Sequence, residues 1–323
     1  MTTLEQIGEF ALIERLLNKL DERESLALLG LGDDCATIPQ SGGFLLLSTD
    51  TLVAGVHFDL RFFPPEAVGY RALAVNISDI AAMGGTPLYA LVSLQAPVET
   101  PVALLEDVYV GLNRCARRYQ VKVVGGNVTF SREFSIGITI VGDVRGNPVR
   151  RSGAQIGDSV WVSGNLGGAS AALRMLQGGS AEVEAIHKDR WLERLFSPEP
   201  RLGLGRALQL NSLASSMIDV SDGVVQDLGH IAAASAVSIE LVVDAVPVEL
   251  GLESAFTKDH AVINSGDDYE LLFTVPRDRD ADLSKIQGID CPITRIGAVV
   301  QEGTGNLEYL AKQLSGSYQH FVR

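Results

Sequence analysis

An α/β (α+β) chain of two domains is the fold class this sequence predicts, and three observations carry the prediction. Short apolar runs of strand length alternate along the chain with longer segments of helical periodicity. A turn-rich, charged stretch at residues 145–153 interrupts that alternation near the middle. The length, 323 residues, exceeds what one hydrophobic core usually organises. The cut falls near residue 148, giving an N-terminal domain over 1–148 and a C-terminal domain over 149–323.

Residues 1–20 mix apolar side chains with Glu5, Glu9, Glu14 and Arg15, the composition of an amphipathic helix and not of a secretory apolar core. Residues 43–48 read as a buried strand that delivers Thr49, Asp50 and Thr51 at its C-terminal end. Residues 66–83 have helical spacing and close on Gly84 and Gly85 as a C-cap. Asn76 and Asp79, three apart, share one face of that helix. A strand at 87–94, a helix at 102–119, a strand at 121–124 running into Gly125, Gly126 and Asn127, and a strand at 134–144 complete the first half. The second half starts with a strand at 159–163, a glycine-rich turn at 164–168 and a helix at 169–177. A strand at 215–220 leads into Ser221, Asp222 and Gly223, which open a helix to about residue 234. Strands at 237–243, 269–275 and 292–299 follow.

Hydrophobic residues make up 46% of the chain and charged residues 20%, a balance that predicts a chain folded throughout. The net charge of −14 leaves no basic stripe for nucleic acid or an anionic membrane surface. An acidic chain accepts an anionic ligand when divalent cations sit between the two. The most apolar stretch, 230–250, is interrupted by Glu240 and Asp244, so no membrane span is expected. The cysteines, Cys35, Cys115 and Cys291, lack CxxC or Cys/His metal spacing, which fits a reducing cytoplasm.

Four acidic clusters stand beside glycine or at the end of apolar runs: 30–36 with Asp33 and Asp34, 48–51 with Asp50, 219–223 with Asp219 and Asp222, and 265–270 with Asp267 and Asp268. Helix capping and Asp-Gly turns account for any one of them. Together with Asp79, they form the oxygen-rich set that Mg²⁺ takes at substrate phosphates. Asp50 follows a run of leucines and Asp79 interrupts an apolar helix, and burying either charge without a cation is costly. GxxxxGK[ST], HRD and DFG are all absent, which excludes P-loop and protein-kinase machinery. Gly125-Gly126 and the turn at 164–168 could offer backbone N–H groups to phosphate, or simply turn the chain. Arg150 and Arg151 are either phosphate partners or a solvated linker. His57 reads equally as a ligand contact or as an ordinary packed or exposed side chain, and Tyr318 reads by default as a docking aromatic. Residue types alone leave open a cation-dependent kinase, a two-metal phosphohydrolase and a non-catalytic cation-binding module, although no EF-hand loop supports the last.

The strings Gly8-Glu-Phe10, Gly30-Leu-Gly-Asp-Asp-Cys-Ala36, Ser48-Thr-Asp-Thr-Leu-Val-Ala-Gly-Val-His-Phe58, Val75-Asn-Ile-Ser-Asp-Ile-Ala-Ala-Met-Gly84, Asp219-Val-Ser-Asp-Gly223 and Gly266-Asp-Asp-Tyr-Glu-Leu271 resemble, in order, the motifs of the thiamine-monophosphate kinases. The resemblance implies the two-domain fold of the aminoimidazole-ribonucleotide synthetase-like superfamily, with an N-terminal metal- and ATP-binding sheet pairing across a homodimer. It implies ATP and thiamine monophosphate as partners, several Mg²⁺ ions, and direct in-line phosphoryl transfer. By motif position, Asp34, Ser48, Thr49, Asp50, Asp79, Asn127, Asp219 and Asp222 are expected around metal, with Asp50, Asp79 and Asp219 at the chemistry. Tyr109, Gly126, Asn127, Arg151 and Ser221 are expected at the nucleotide, and His57, Asp267 and Tyr318 at the thiamine phosphate. Two positions depart from the family's pattern: Asn127 stands where Asp is common, and Asp267 where Glu is frequent. The lack of a lysine beside Cys35 argues against selenophosphate synthetase, and the ending His-Phe-Val-Arg against a hydrogenase-maturation protein.

Overall fold

The structure, a computed structural model, describes residues 4–19, 30, 32–179, 184–252, 264, 266–287, 289 and 291–313. Helix α1 (Leu4–Leu17) comes first. Strands β1 (Ala36–Gln40) and β2 (Gly43–Val53) precede α2 (Pro65–Ala82), β3 (Thr86–Ala96), α3 (Val102–Tyr119), β4 (Lys122–Phe130) and β5 (Ser135–Arg145). The second half holds β6 (Ser159–Ser163), α4 (Gly168–Leu176), α5 (Ala185–Phe196), α6 (Leu202–Leu210), β7 (Ser216–Asp219), α7 (Val224–Ser235) and β8 (Ser238–Leu241). It ends with β9 (Leu271–Val275), α8 (Asp280–Leu283), β10 (Ile293–Val300) and α9 (Leu307–Gln313).

Two five-stranded sheets result, ordered β1-β2-β5-β3-β4 and β7-β9-β6-β10-β8. All neighbouring pairs are antiparallel except β3 with β4. The sheets therefore belong to the α+β side of the expectation. On β5, Ile136, Ile138 and Ile140 are fully buried, the alternation of a strand with one face against helices.

Helix α2 is apolar on nearly every side because it is covered on nearly every side. It meets β2 and α3 of its own half and α6 and β7 of the other. The approach to α3 is very close: a Cβ on Gly69 would stand 1.7 Å from the Val108 carbonyl, and one on Gly111 1.7 Å from that of Glu66. The core of the first sheet also takes in Ala169 and Ala172 of α4 and Trp191 and Leu195 of α5. Phe63 meets Phe196 edge-on at 5.0 Å. The two halves are thus joined through packed side chains as well as through the chain.

Strands β1, β2 and β4 differ from the sequence expectation, and helices α5, α6, α8 and α9 are not among the elements it names. Strand β1 pairs with the start of β2, although Pro39 and the polar residues around it give no strand signal. Strand β2 runs past Ser48 to Val53, so Asp50 lies within the strand and not beyond it. Strand β4 continues through Gly125, Gly126 and Asn127 to Phe130 instead of stopping at 124. A Cβ on Gly126 would stand 1.9 Å from the Val92 carbonyl, so glycine there permits the close parallel pairing with β3. All nine residues of β4 are exposed, Val124, Val128 and Phe130 among them. Among the described residues no helix is long and apolar enough to cross a membrane.

The α2–α3 contact provides a direct check. Gly69→Val is expected to lower the free energy of urea unfolding by about 3 kcal/mol, because the added carbons meet a backbone carbonyl that cannot move without moving the helix. A loss below about 1 kcal/mol contradicts the close approach.

Candidate active site

Strand β1 leaves β2 early, its last pairing being Ala36 with Leu47. Residues 48–53 of β2 consequently present an edge that β1 does not cover, and a cavity of about 780 Å³ lies along it. That volume suits a small-molecule ligand. Residues of both strand faces reach the cavity for this reason, Ser48 and Asp50 from one and Thr49 and Thr51 from the other.

Three elements each send one carboxylate to the cavity wall. Asp34 comes from the turn before β1, Asp79 from α2 and Asp219 from the end of β7, with a ligand oxygen of each within 4.8 Å of the others. Asp79 accepts a hydrogen bond from the Ser48 hydroxyl, and Asp219 accepts one from Ser78 at 2.6 Å. Asp34 Oδ1 takes the Arg151 guanidinium at 2.7 Å, while its Oδ2 is buried with no hydrogen bond. Asp33 holds the same arginine pair from below, through Arg150 Nη1 at 2.7 Å and the Arg151 backbone N–H at 2.9 Å. Burial and mutual repulsion raise all three acids. Asp79 is pushed well above the usual carboxylate range by burial and by Asp50, Asp219 and Asp34. Asp34 is raised by burial against the pull of Arg151, and Asp219 is raised to about 7, chiefly by burial and Asp34. An orphaned buried carboxylate oxygen among three converging acids is the donor set that a hard divalent cation satisfies.

A second group, Asp222, Asp227 and His230, lies along the start of α7 on the same cavity. Asp227 Oδ2 accepts the Gly223 and Asp222 backbone N–H groups at 3.0 and 3.2 Å, which fixes the turn that presents Asp222. Sequence reading missed Asp227 and His230. Their positions five and eight residues after Asp222 on one helix were the available signal.

Of the other expected residues, His57, Arg151, Ser221 and Asp267 line the cavity. His57 Nδ1 accepts the Val53 N–H at 3.0 Å, so the ring is held against the end of β2. Asp50 is exposed at the cavity edge, contrary to the expectation of a buried charge, because β1 has already ended beside it. Tyr109, Gly126 and Asn127 do not line this cavity. Asn127 sits in register with Ser93, Gly137 and Thr51, three strands away from Thr51, or about 14 Å at ordinary strand spacing. Tyr318 lies outside the described residues.

Of the two glycine-rich stretches that could have offered N–H groups to phosphate, Gly125 and Gly126 are strand residues, and the turn at 164–168 has three of its backbone donors occupied within the protein. Gly167 N–H goes to the Asp268 carboxylate at 2.9 and 3.0 Å, Gly164 N–H to the Pro292 carbonyl, and Leu166 N–H to that of Pro247. Asp268 is the partner the sequence gave no reason to place there.

The cavity wall also includes the apolar side chains Phe58, Phe62, Phe63 and Leu173. Phe58 meets Phe134 edge-on at 5.6 Å, which stiffens this wall from behind. One cavity thus has both the carboxylate cage and aromatic side chains in its wall.

Comparison with known proteins matches residues 32–144 to the family described as AIR synthase related protein, N-terminal domain, and residues 155–309 to its C-terminal domain. A thiamine-monophosphate kinase of Aquifex aeolicus is 37% identical over 85% of this chain and 88% of its own length. That of Escherichia coli K12 is 37% identical over 92% of both. A solved structure described as "AaThiL complexed with AMPPCP and TMP" superposes with a TM-score of 0.83 at 35% identity, covering 94% of each chain. The hydrogenase maturation protein HypE, at 20% identity and a TM-score of 0.67, shares the fold.

The cage makes stability depend on pH and on cations together. Asp219 titrates at about 7 in the fold against 3.8 for an unperturbed carboxyl. Proton binding therefore favours the folded state, and this contribution is lost as pH rises from the unfolded value through about 7. The melting temperature of the cation-free chain is expected to fall between about pH 5 and about pH 8, and Mg²⁺ to raise it more at the higher pH. A Mg²⁺ effect equal at both pH values contradicts the cage.

Proposed function

This chain belongs to the thiamine-monophosphate kinase family, and on that premise we propose that it transfers the γ-phosphoryl group of ATP to thiamine monophosphate, forming thiamine diphosphate. The observation that carries this is one cavity lined both by the three-carboxylate cage and by the aromatic side chains of Phe58, Phe62 and Phe63. A phosphorylated end and a planar organic end of one acceptor fit such a cavity.

Mg²⁺ would be held by Asp34, Asp79 and Asp219, with Ser48, Asp50 and Asp222 at the rim, and when bound it supplies the positive charge that lets two anionic reactants approach. The chain's own residues supply position. The acceptor is a phosphate oxygen already ionised near neutral pH, so no strong general base is required, and none is assigned. Direct in-line transfer follows, with no phosphoenzyme. Arg151 pairs with Asp34, and a cation beside that carboxylate would leave the guanidinium available to a phosphate. Ser221 contributes at the nucleotide, and His57 and Asp267 face the acceptor.

The active unit is a homodimer, the two lobes of each chain meeting near residue 148. Support comes from β4, an edge strand exposed along its whole length with Val124, Val128 and Phe130 bare. By register, Asn127 shares the open sheet face of Thr49 and Thr51. A second copy packed on that face brings its own Asn127, Gly126 and Tyr109 toward the site that this chain's copies do not reach. Three free cysteines suit the reducing cytoplasm.

Incubation with ATP, Mg²⁺ and thiamine monophosphate, followed by mass analysis, is expected to give thiamine diphosphate and ADP, and Asp50→Asn to abolish both. Release of inorganic phosphate without thiamine diphosphate contradicts the kinase. Phe130→Asp is expected to convert a dimer to a monomer in sedimentation and to remove most of the activity. A fully active monomer contradicts the shared site.

A further inference from the structure

Arg71, on α2, is almost wholly buried, with 2% of its side chain exposed, yet it belongs to the cavity wall. Its guanidinium makes three different contacts with the other half of the chain. Nη2 pairs with Asp267 Oδ1, Nη1 donates to the Leu195 carbonyl at 2.9 Å, and Cζ lies over the Tyr269 ring, 5.4 Å from its centre. Tyr269 in turn donates its hydroxyl to the same Asp267 oxygen at 3.1 Å. Oδ1 of Asp267 is thus occupied twice, whereas Oδ2 takes no hydrogen bond among the described residues. The Asp267 side chain is 39% exposed, at the cavity.

The backbone that carries this carboxylate is held in an unfavourable conformation. Asp267 has φ +66° and Tyr269 φ +52°, both in the left-handed region that side-chain-bearing residues avoid. The segment is stitched to the metal-side loop by Asp267 N–H to the Ser221 carbonyl and Tyr269 N–H to that of Val220, each at 2.9 Å. Such a conformation persists when its surroundings over-determine it, and the Arg71 fork supplies the side-chain half of that constraint.

We infer that Arg71 is a positioning residue for the acceptor: it fixes the Asp267 carboxylate so that Oδ2 alone faces the cavity, ready for an N–H group or a positive charge at the organic end of the ligand. This rests on the proposed contact between Asp267 and thiamine phosphate. Arg71 makes no hydrogen bond to Asp34, Asp79 or Asp219, so its main effect is expected on acceptor binding. A lysine could keep the charge but not all three contacts, since an ammonium lacks the planar fork that stacks on Tyr269 while bonding two acceptors.

The test compares the Mg²⁺-loaded full chain with its variants R71M, R71K, D267N and the double variant R71M/D267N, measuring kcat and both Michaelis constants. R71M is expected to raise KM for thiamine monophosphate by about ten-fold or more, the loss of one charge-assisted contact, with KM for ATP unchanged. R71K is expected to fall between R71M and the parent, and the double variant to be no worse than D267N. Equal changes in both Michaelis constants, or effects of R71M and D267N that multiply, overturn the positioning role and leave Arg71 a structural ion pair. If R71M does not fold, the same split in R71K decides. A D267N variant with unchanged KM for thiamine monophosphate removes the contact on which the inference rests, and the inference with it, while formation of thiamine diphosphate by that variant leaves the kinase activity standing.

Discussion

Mutual repulsion among Asp34, Asp79 and Asp219 is the constraint around which the rest of the site is arranged. The three acids arrive from a turn, a helix of one half and a strand of the other, and they converge within 4.8 Å. Left alone they would take protons, and burial already drives them that way. They are kept in place by neighbours that are themselves fixed: Ser48 on Asp79, Ser78 on Asp219, and Arg151, braced by Asp33, on Asp34. Helix α2 supplies two of these groups, and its all-round burial between the two halves is what makes their positions rigid. Three acids held this close store repulsion that a bound cation would relieve, and such a cation would raise the stability of the fold.

The same helix carries two features of the cavity wall. Asp79 and Ser78 stand at the cage, and Arg71, two turns earlier, reaches Asp267. The loop at 266–270 closes the circuit by bonding to the backbone of 220–221, next to Asp219 and Asp222. The carboxylate cage and the Arg71–Asp267 pair are therefore held by one connected set of packed elements, and the distance between them is a property of the fold. Behind that loop, Glu270 is gripped by Arg201 at 2.5 and 2.6 Å and by Arg194 at 3.2 Å, so the segment is fixed from both sides.

Much of this was legible in the sequence, and the physical reasons for the remainder are specific. Asp79 was readable because a lone carboxylate in an apolar helix needs a partner, and Asp219 because it ends a short apolar run. Asp50 was found for a reason that the structure reverses: its leucine run suggested burial, but β1 ends beside it and leaves it at the cavity edge. The glycines at 125–126 looked like a strand terminator, and local sequence cannot show that Val92 lies close enough to demand them. The turn at 164–168 looked like a phosphate cradle until Asp268, about a hundred residues later, filled it. Arg71 left no mark because its partners are 124 and 196 residues away. Pairings at such separations are set by tertiary structure, and a single sequence carries no periodic signal for them.

The central claim is that acids from both halves of the chain form one cation cage at the heart of the site. Crystals grown with Mn²⁺ in place of Mg²⁺, together with a non-hydrolysable ATP analogue, would test it through anomalous diffraction. An anomalous peak within bonding distance of Asp34, Asp79 and Asp219 is the predicted result. Manganese bound solely at exposed carboxylates, with the three acids still paired to Arg151, Ser48 and Ser78, would contradict it.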